Sequence, residues 1–277
     1  MRGSESSPHV SHSQRETLER CAKSWFLKYE TAAPRRPALW TAGGSAVHEV
    51  TEAYDRWTED RPFDVQSFWD MHFGHHLDRL RQADPNENNW NRSPSEPIEI
   101  WNQIGPAFVQ SWTDWRSKSP YEIWTTPDGQ PAIELDVSGY LPGCPVEIKG
   151  YVDRIFRDPI LDTLVIVDLK TGKRPPKGPA QFAVYAALVE VKYGVKCAIG
   201  APFMNRKGTL GKAYPLAEHT PEAVGAVFGE TWKRIQAGDF PADGFPKACW
   251  VCDVAASCAA NNGPLAYLYD PDAKIPF

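Results

Sequence analysis

The chain has 277 residues, with 30 Lys and Arg against 35 Asp and Glu, which gives a net charge of −5 at pH 7. Its residues are 42% hydrophobic, 12% aromatic and 23% charged, a composition that excludes disorder, collagen-like repeats and a coiled coil as the main architecture. The acidic balance also excludes a globally basic surface for nucleic acid, so any such site has to be a local basic groove.

Two helices are predicted near the N-terminus. Residues 1–14 are polar, lack the apolar segment of a signal peptide, and are predicted to be a short disordered lead. Helical periodicity predicts one helix over Ser11–Glu30, with a capping box formed by Ser13 and Glu16. A second helix is predicted to open at Gly43-Gly44 and to run to Trp57.

A tryptophan-rich segment follows, over residues 58–130. Trp101, Phe108 and Trp112 have the spacing of one helix face, which predicts a helical insertion with its own aromatic core. The alternative is that these rings are platforms on which single-stranded bases stack.

From Pro131 the pattern changes to strands that alternate with helices. Ile133, Leu135 and Val137 alternate with polar residues, which is typical of a half-buried strand. A mixed α/β domain is therefore predicted. The remaining elements are a hairpin of Val146–Arg157 and Thr163–Lys170, a helix over Gln181–Lys192, a strand over Val195–Met204 and a helix over Pro221–Gln236.

The stretch Leu164–Lys173 (LVIVDLKTGK) carries the strongest chemical signal. Asp168 and Lys170 point to one face of a strand because successive side chains alternate. A carboxylate that holds a divalent cation, next to an ammonium that orients the attacking water, suits metal-assisted phosphodiester hydrolysis. Asp153, on the neighbouring strand, is expected to reach the same cation. The alternative is a surface ion pair at a strand end.

Four further residues are candidates for the same site. Gln181 and Tyr185 are four apart and share a helix face. His48, on the early helix, has an imidazole that could complete a metal shell, although a lone histidine is more often structural. Glu134 is a second-tier candidate, since a solvated strand carboxylate is an equal alternative.

Five of the six cysteines fall into two groups. Cys249, Cys252 and Cys258 form C-x2-C-x5-C, a pattern that indicates a metal or iron–sulfur site. Cys144 and Cys197 are isolated and are predicted to be ordinary buried thiols.

Four short motifs resemble the RecB-type nuclease domain of the PD-(D/E)XK superfamily. Each motif alone is unspecific, but their order and spacing together are specific to that family. The motifs are G-x-x-x-H (Gly44–His48), G-x-x-D-R (Gly150–Arg154), V-D-x-K-T-G (Val167–Gly172) and Q-x-x-x-Y (Gln181–Tyr185).

The resemblance implies a restriction-endonuclease-like α/β core, a mixed central sheet flanked by helices. It implies that Mg²⁺ or Mn²⁺ is bound by His48, Asp153, Asp168 and the Leu169 carbonyl. Lys170 would then be the catalytic lysine. Gln181 and Tyr185 would support the site and the DNA backbone.

The cysteines resemble those of the iron–sulfur members, the CRISPR-associated exonucleases and AddB-type nucleases, in which one cysteine precedes the core and three follow it. This implies that a 4Fe–4S cluster ties the first helix to the C-terminal tail. The spacing alone is equally compatible with zinc. The four thiols are those of Cys21, Cys249, Cys252 and Cys258.

The resemblance also predicts the organisation of the chain. Residues 1–57 would hold the N-terminal helices with the first cluster cysteine and the motif histidine, and 58–130 the helical insertion. The nuclease core would span 131–240, and the cysteine-bearing tail 241–277.

The function expected from the resemblance is a metal-dependent DNA exonuclease, compact enough to be phage-encoded, that acts on linear ends in the host cytoplasm. No membrane span is expected. The chain has no G-x-x-x-x-G-K-[ST] motif, so either the DNA is single-stranded already or a helicase, annealing or single-strand-binding partner unwinds it, and the sequence leaves single- and double-stranded substrates open. The alternatives are a non-catalytic nucleic-acid-binding or assembly subunit with a nuclease-like fold, and a CRISPR-type end-trimming factor.

Overall fold

The computed structural model describes residues 8–91, 93 and 95–273. The predicted lead is therefore partly outside the described residues, and from His9 onward the prediction of disorder is wrong because that stretch forms a strand and the start of a helix. The strands are β1 (His9–Ser11), β2 (Glu122–Ile123), β3 (Ile133–Asp136), β4 (Glu147–Lys149), β5 (Tyr151–Asp158), β6 (Thr163–Lys170), β7 (Cys197–Met204), β8 (Thr209–Leu210) and β9 (Tyr214–Pro215).

Helices precede, separate and follow these strands along the chain. No helix of the described ranges has the length and apolar character needed to cross a membrane. The helices are α1 (His12–Arg20), α2 (Ala22–Tyr29), α3 (Leu39–Asp55), α4 (Val65–Ala83), α5 (Ile98–Arg116), α6 (Ala180–Tyr193), α7 (Pro221–Gln236) and α8 (Ala266–Tyr269).

The central sheet is mixed. β5 and β6 form the predicted antiparallel hairpin, whereas β6 and β7 are parallel and are joined through α6, the crossover that a parallel pair requires. β2 and β3 extend the sheet beyond β5, and β8 and β9 pair with the far side of β7. β1 and β4 form a separate parallel pair.

Buried residues of β6 alternate between the two faces of the sheet. Ile166 packs with Phe182 of α6, whereas Val165 and Val167 pack with Trp112 of α5. Helices therefore cover both faces, as is typical of an α/β core. The predicted mixed α/β core, a mixed central sheet flanked by helices, is confirmed.

The tryptophan-rich segment packs against α3 around buried aromatic rings, including Trp69 and Trp101. Trp112 packs instead against the sheet, so the insertion shares part of its aromatic surface with the core. The domain boundaries themselves stay a prediction. Gly43 does not open a helix, since α3 begins at Leu39. The glycine instead makes room for a ring, because a Cβ at Gly43 would lie 2.2 Å from the Trp101 ring.

The first predicted helix is broken in two. Ser11, and not Ser13, caps α1, since its Oγ accepts a hydrogen bond from the Gln14 backbone N–H at 3.2 Å. The chain then turns extended at Cys21 (φ −168°, ψ 112°) before α2 begins. The break leaves the Cys21 side chain at a junction between helices instead of on a regular helix face.

The predicted strand Val146–Arg157 is also broken, at Gly150. A Cβ there would lie 2.8 Å from a methyl carbon of Leu188, so glycine allows α6 to approach closely. β4 pairs with β1 before this point, and β5 joins the main sheet after it.

Candidate metal centre

Side chains from three separate elements meet at one end of the sheet. His48 projects from α3, Glu134 from β3 and Asp153 from β5, and their ligand atoms all lie within 4.8 Å of one another. His48 Nδ1 is 3.5 Å from Asp153 Oδ2 and 3.7 Å from Glu134 Oε1. Among the described residues this is the group whose donors fit a single cation.

An unusual backbone conformation orients Glu134. Its φ of 47° lies in the left-handed region, which a residue with a Cβ adopts at a cost of about 1–3 kcal/mol. Burial would raise the pKa of this carboxyl, but His48 and Arg154 outweigh it and lower the pKa below its usual value. Glu134 is thus held ionised beside His48.

Arg154 and Asp55 form a buried support for Glu134. The Arg154 side chain is fully buried, and its guanidinium contacts Asp55 Oδ2 at 2.7 Å and Glu134 Oε1 at 3.1 Å. Asp55 also accepts hydrogen bonds from the side chains of Trp112 and Arg116. Sequence reasoning assigned no role to Arg154 or Asp55, although Asp55 lies seven residues after His48 and hence on the same helix face.

Asp153 is more deeply buried than Glu134. Its Oδ2 accepts a hydrogen bond from the Leu169 backbone N–H at 2.7 Å, which ties β5 to β6 at the site. Burial raises the pKa of Asp153 to about 7, although His48 opposes the shift. For His48, burial opposes protonation, but Asp153 and Glu134 outweigh it and raise the pKa to about 9.

Asp168 and Lys170 lie beside this group, joined to α6 by Gln181. Lys170 Nζ is 2.5 Å from Asp168 Oδ2 and donates to Gln181 Oε1 at 3.0 Å. Gln181 Nε2 in turn donates to Asp168 Oδ1 at 2.8 Å and to Tyr185 Oη at 3.0 Å. Burial would lower the pKa of Lys170, but Asp168 outweighs it and raises that pKa. Burial also raises the pKa of Tyr185.

These donors suit a hard divalent cation. Asp168 Oδ2 is buried and, apart from its contact with the Lys170 ammonium, makes no hydrogen bond with a described residue. Carboxylate oxygens are the ligands that Mg²⁺ prefers, and an imidazole among them suits Mn²⁺ as well.

The structure arranges the predicted ligands differently from the sequence-based expectation. His48 and Asp153 lie together as predicted, but Glu134, the second-tier candidate, completes the compact group. Asp168 lies outside that group and is paired with Lys170. The Leu169 backbone N–H is directed to Asp153, and the role of the Leu169 carbonyl stays a prediction.

The cysteines separate into the two predicted groups. Cys144 and Cys197 are buried apart, at 7% and 5% exposure. The other four thiols line one cavity between α2 and the tail, where Cys252 Sγ is 3.6 Å from Ser24 Oγ. The sulfurs of that cavity belong to Cys21, Cys249, Cys252 and Cys258.

Comparison with known proteins places the chain in a family. A model of the PD-(D/E)XK nuclease superfamily matches residues 9–259. The Gene 69 proteins of Mycobacterium phages D29 and L5 are 32% and 30% identical over 265 and 283 aligned residues, and each alignment covers 91% of this chain and 96% of the phage protein. The solved structure of SSO0001 is 15% identical in sequence, and the alignment covers 79% of this chain and 96% of the SSO0001 chain. Its TM-score of 0.37 is too low for the likeness to bear on function. This chain belongs to the PD-(D/E)XK nuclease superfamily.

Proposed function

We propose that this protein is a divalent-metal-dependent deoxyribonuclease that degrades linear DNA from its ends, in recombination, replication or DNA-end processing. The observation that carries the proposal is the convergence of His48, Glu134 and Asp153 within 4.8 Å, beside the paired Asp168 and Lys170. A Mg²⁺ or Mn²⁺ ion bound there would polarise the scissile phosphate.

The chain's own groups supply the remaining chemistry. Lys170 orients the attacking water and stabilises the negative charge that develops on the phosphate. Asp168 would offer a carboxylate oxygen to a cation bound beside it, and it contacts the Lys170 ammonium at 2.5 Å. Gln181 bridges the two through both ends of its amide, and Tyr185 orients Gln181 from the next turn of α6.

Action on DNA ends is supported by the four motifs that resemble RecB-type nuclease domains. We propose that the DNA reaches the site single-stranded, either as a single-stranded end or after a helicase, annealing or single-strand-binding partner has opened a duplex. The two similar proteins come from phages, which supports action in a host cytoplasm.

An end-labelled linear DNA, with the same DNA as a closed circle for control, tests the proposal. With Mn²⁺ the label is expected to be released progressively, while the circle stays intact and a chelator abolishes release. Equal cleavage of the circle would contradict action from ends. Binding of DNA without cleavage in either metal would favour a non-catalytic subunit.

We propose further that Cys21, Cys249, Cys252 and Cys258 hold a 4Fe–4S cluster with a structural role. All four of these thiols line one cavity, as the ligands of a single site would. The choice of a cluster over a zinc ion is supported by the resemblance to the iron–sulfur members of the family, and Cys-ligated zinc is the alternative.

A further inference from the structure

A groove of about 790 Å³ opens beside the end of β6. Thr171, the residue after Lys170, lines it, together with Gly172, Lys173 and Arg174 of the loop that follows. We call it the Trp40–Trp250 groove, after the two indoles that flank it. The residues that define it are Arg36, Trp40, Lys173, Arg174, Arg206 and Trp250.

The Trp40–Trp250 groove concentrates positive charge in a chain whose net charge is −5. Four of its lining residues are cationic, and Glu96 is the single carboxylate among the described residues that line it. Glu96 pairs with Lys173 at 2.9 Å and with Arg206 at 3.2 Å, which holds both cations at the groove. Arg174 is exposed to solvent. This is the local basic groove that the composition required of any DNA site.

Two indoles in the Trp40–Trp250 groove are exposed to solvent. Trp250 is 80% exposed and Trp40 is 41% exposed, whereas Trp69, Trp90, Trp101 and Trp112 are almost fully buried. An exposed aromatic ring next to cations is the combination that binds unpaired bases and their phosphates. Paired bases in a duplex are stacked on one another and do not offer their faces to such rings.

One face of α3 links the Trp40–Trp250 groove to the candidate metal centre. Trp40, Gly44 and His48 follow one another at intervals of four residues and so share that face. A Cβ at Gly44 would lie 3.4 Å from Thr171 Oγ1, so the helix passes close to the end of β6. Eight residues of helix rise about 12 Å, which is the distance along α3 from Trp40 to His48.

We propose that the Trp40–Trp250 groove binds single-stranded DNA and directs its backbone toward His48 and the neighbouring carboxylates. Trp40 and Trp250 stack on bases, while the four cations contact phosphates. Trp250 lies between Cys249 and Cys252, so the cysteine-bearing turn also forms part of the groove wall. This assignment rests on the proposed nuclease function for its direction, but DNA binding in the groove is measurable without cleavage.

The test is the affinity of the full-length protein for a fluorescent oligothymidylate of about 15 nucleotides, at the upper end of single-strand site sizes. Anisotropy is measured in chelator, so that no cleavage occurs. Trp40→Ala and Trp250→Ala are each expected to weaken binding about tenfold. Arg174→Gln is expected to reduce the slope of log K against log salt by about 0.7, the value for one phosphate contact on a single strand.

Matched controls come from exposed residues away from the groove. Tyr267 is a 50% exposed aromatic residue on the same tail, and Lys196 is an 82% exposed cation beyond α6. Tyr267→Ala and Lys196→Gln are expected to bind oligothymidylate as the wild type does. Equal thermal midpoints for all variants would exclude unfolding as the cause of weaker binding.

The possible outcomes distinguish failure of the groove proposal from failure of the nuclease proposal. Wild-type affinity in both Trp40→Ala and Trp250→Ala would overturn the groove assignment, whether or not the wild type cleaves DNA. Competition by a blunt duplex as effective as that by the single strand would overturn the choice of substrate. Tryptophan-dependent binding by a wild type that fails to cleave with Mn²⁺ would support the groove and contradict the nuclease proposal.

Discussion

At the scale of single residues, Glu134 shows how the centre differs from what the sequence suggested. Alternation along β3 predicted a carboxylate directed away from the core, with solvent as an equal alternative. The left-handed φ of 47° and the contact with buried Arg154 instead bring it to His48. A positive φ at a non-glycine residue leaves no mark in the hydrophobic pattern, so sequence alone could not have ranked Glu134 with His48 and Asp153.

The first prediction concerns the paired Asp168 and Lys170. Lys170→Ala or Asp168→Ala is expected to lower the initial rate of label release from linear DNA about a hundredfold or more, since an electrostatic group that acts on the transition state is lost. Lys196→Ala, which removes a cation on the surface, serves as the control. A wild-type rate in a folded Lys170→Ala protein would contradict the mechanism.

The second prediction concerns the metal ligands. Glu134→Gln, His48→Ala and Asp153→Asn are each expected to weaken Mn²⁺ binding at least tenfold, because each removes one donor of a compact group. Isothermal titration with Mn²⁺ measures this without any substrate. Asp136→Asn changes an exposed carboxylate on the same strand and should leave the affinity unchanged. Unaltered binding in Glu134→Gln would remove Glu134 from the ligand set.

At the scale of elements, helices and strands with a regular hydrophobic period were predictable from the sequence, whereas the positions at which elements break were not. α7 spans Pro221–Gln236 as predicted, and α6 ends before Gly194, whose φ of 70° closes the helix. The breaks at Cys21 and Gly150 escaped prediction because tertiary contacts cause them. Cys21 lines a cavity with the cysteines of the tail, and Gly150, which lacks a Cβ, allows Leu188 of α6 to approach closely. Both breaks position residues of the candidate sites.

The third prediction tests how α3 is joined to the sheet. Asp55→Ala would leave the fully buried Arg154 without its closest carboxylate, and loss of one partner of a buried ion pair costs about 3–5 kcal/mol. The free energy of unfolding in urea is expected to fall by that amount. Asp60→Ala, which removes an exposed carboxylate beyond the helix, should change it little. Equal stability of the two variants would show that the Asp55–Arg154 pair contributes nothing to the fold.

At the scale of the whole molecule, residues from opposite ends of the described chain are packed together. Lys23 of α2 contacts Asp270 Oδ1 at 3.1 Å and Asp272 Oδ2 at 2.7 Å. The same helix pair brings Cys21 to the cysteines of the tail. The motif order predicted that the ends meet through thiols, but the buried Lys23–Asp270 pair has no spacing signal and was not predictable.

The fourth prediction follows from the shared cysteine cavity. The purified protein is expected to be brown and to carry about four irons per chain. Cys21→Ser should lose colour and stability as fully as Cys252→Ser, because metal-site binding energy becomes folding energy. Cys144→Ser and Cys197→Ser should keep the colour and the stability of the wild type.

Absorption spectra, iron and zinc analysis and thermal midpoints measure these outcomes. A colourless protein with one zinc per chain would establish the zinc alternative. Colour that survives Cys21→Ser would remove the N-terminal ligand from the cluster.

The pairing of Lys23 with Asp270 also sets an order of events during synthesis. The two residues are 247 positions apart, so at 5–20 residues per second Lys23 is made roughly 12–50 s before its partner is made. His48, Asp153 and Asp168 are all translated within that interval. The carboxylates of the candidate metal centre are therefore made before the cysteine-bearing wall of the Trp40–Trp250 groove, so on our proposal the groove is complete only after the last stretch of translation.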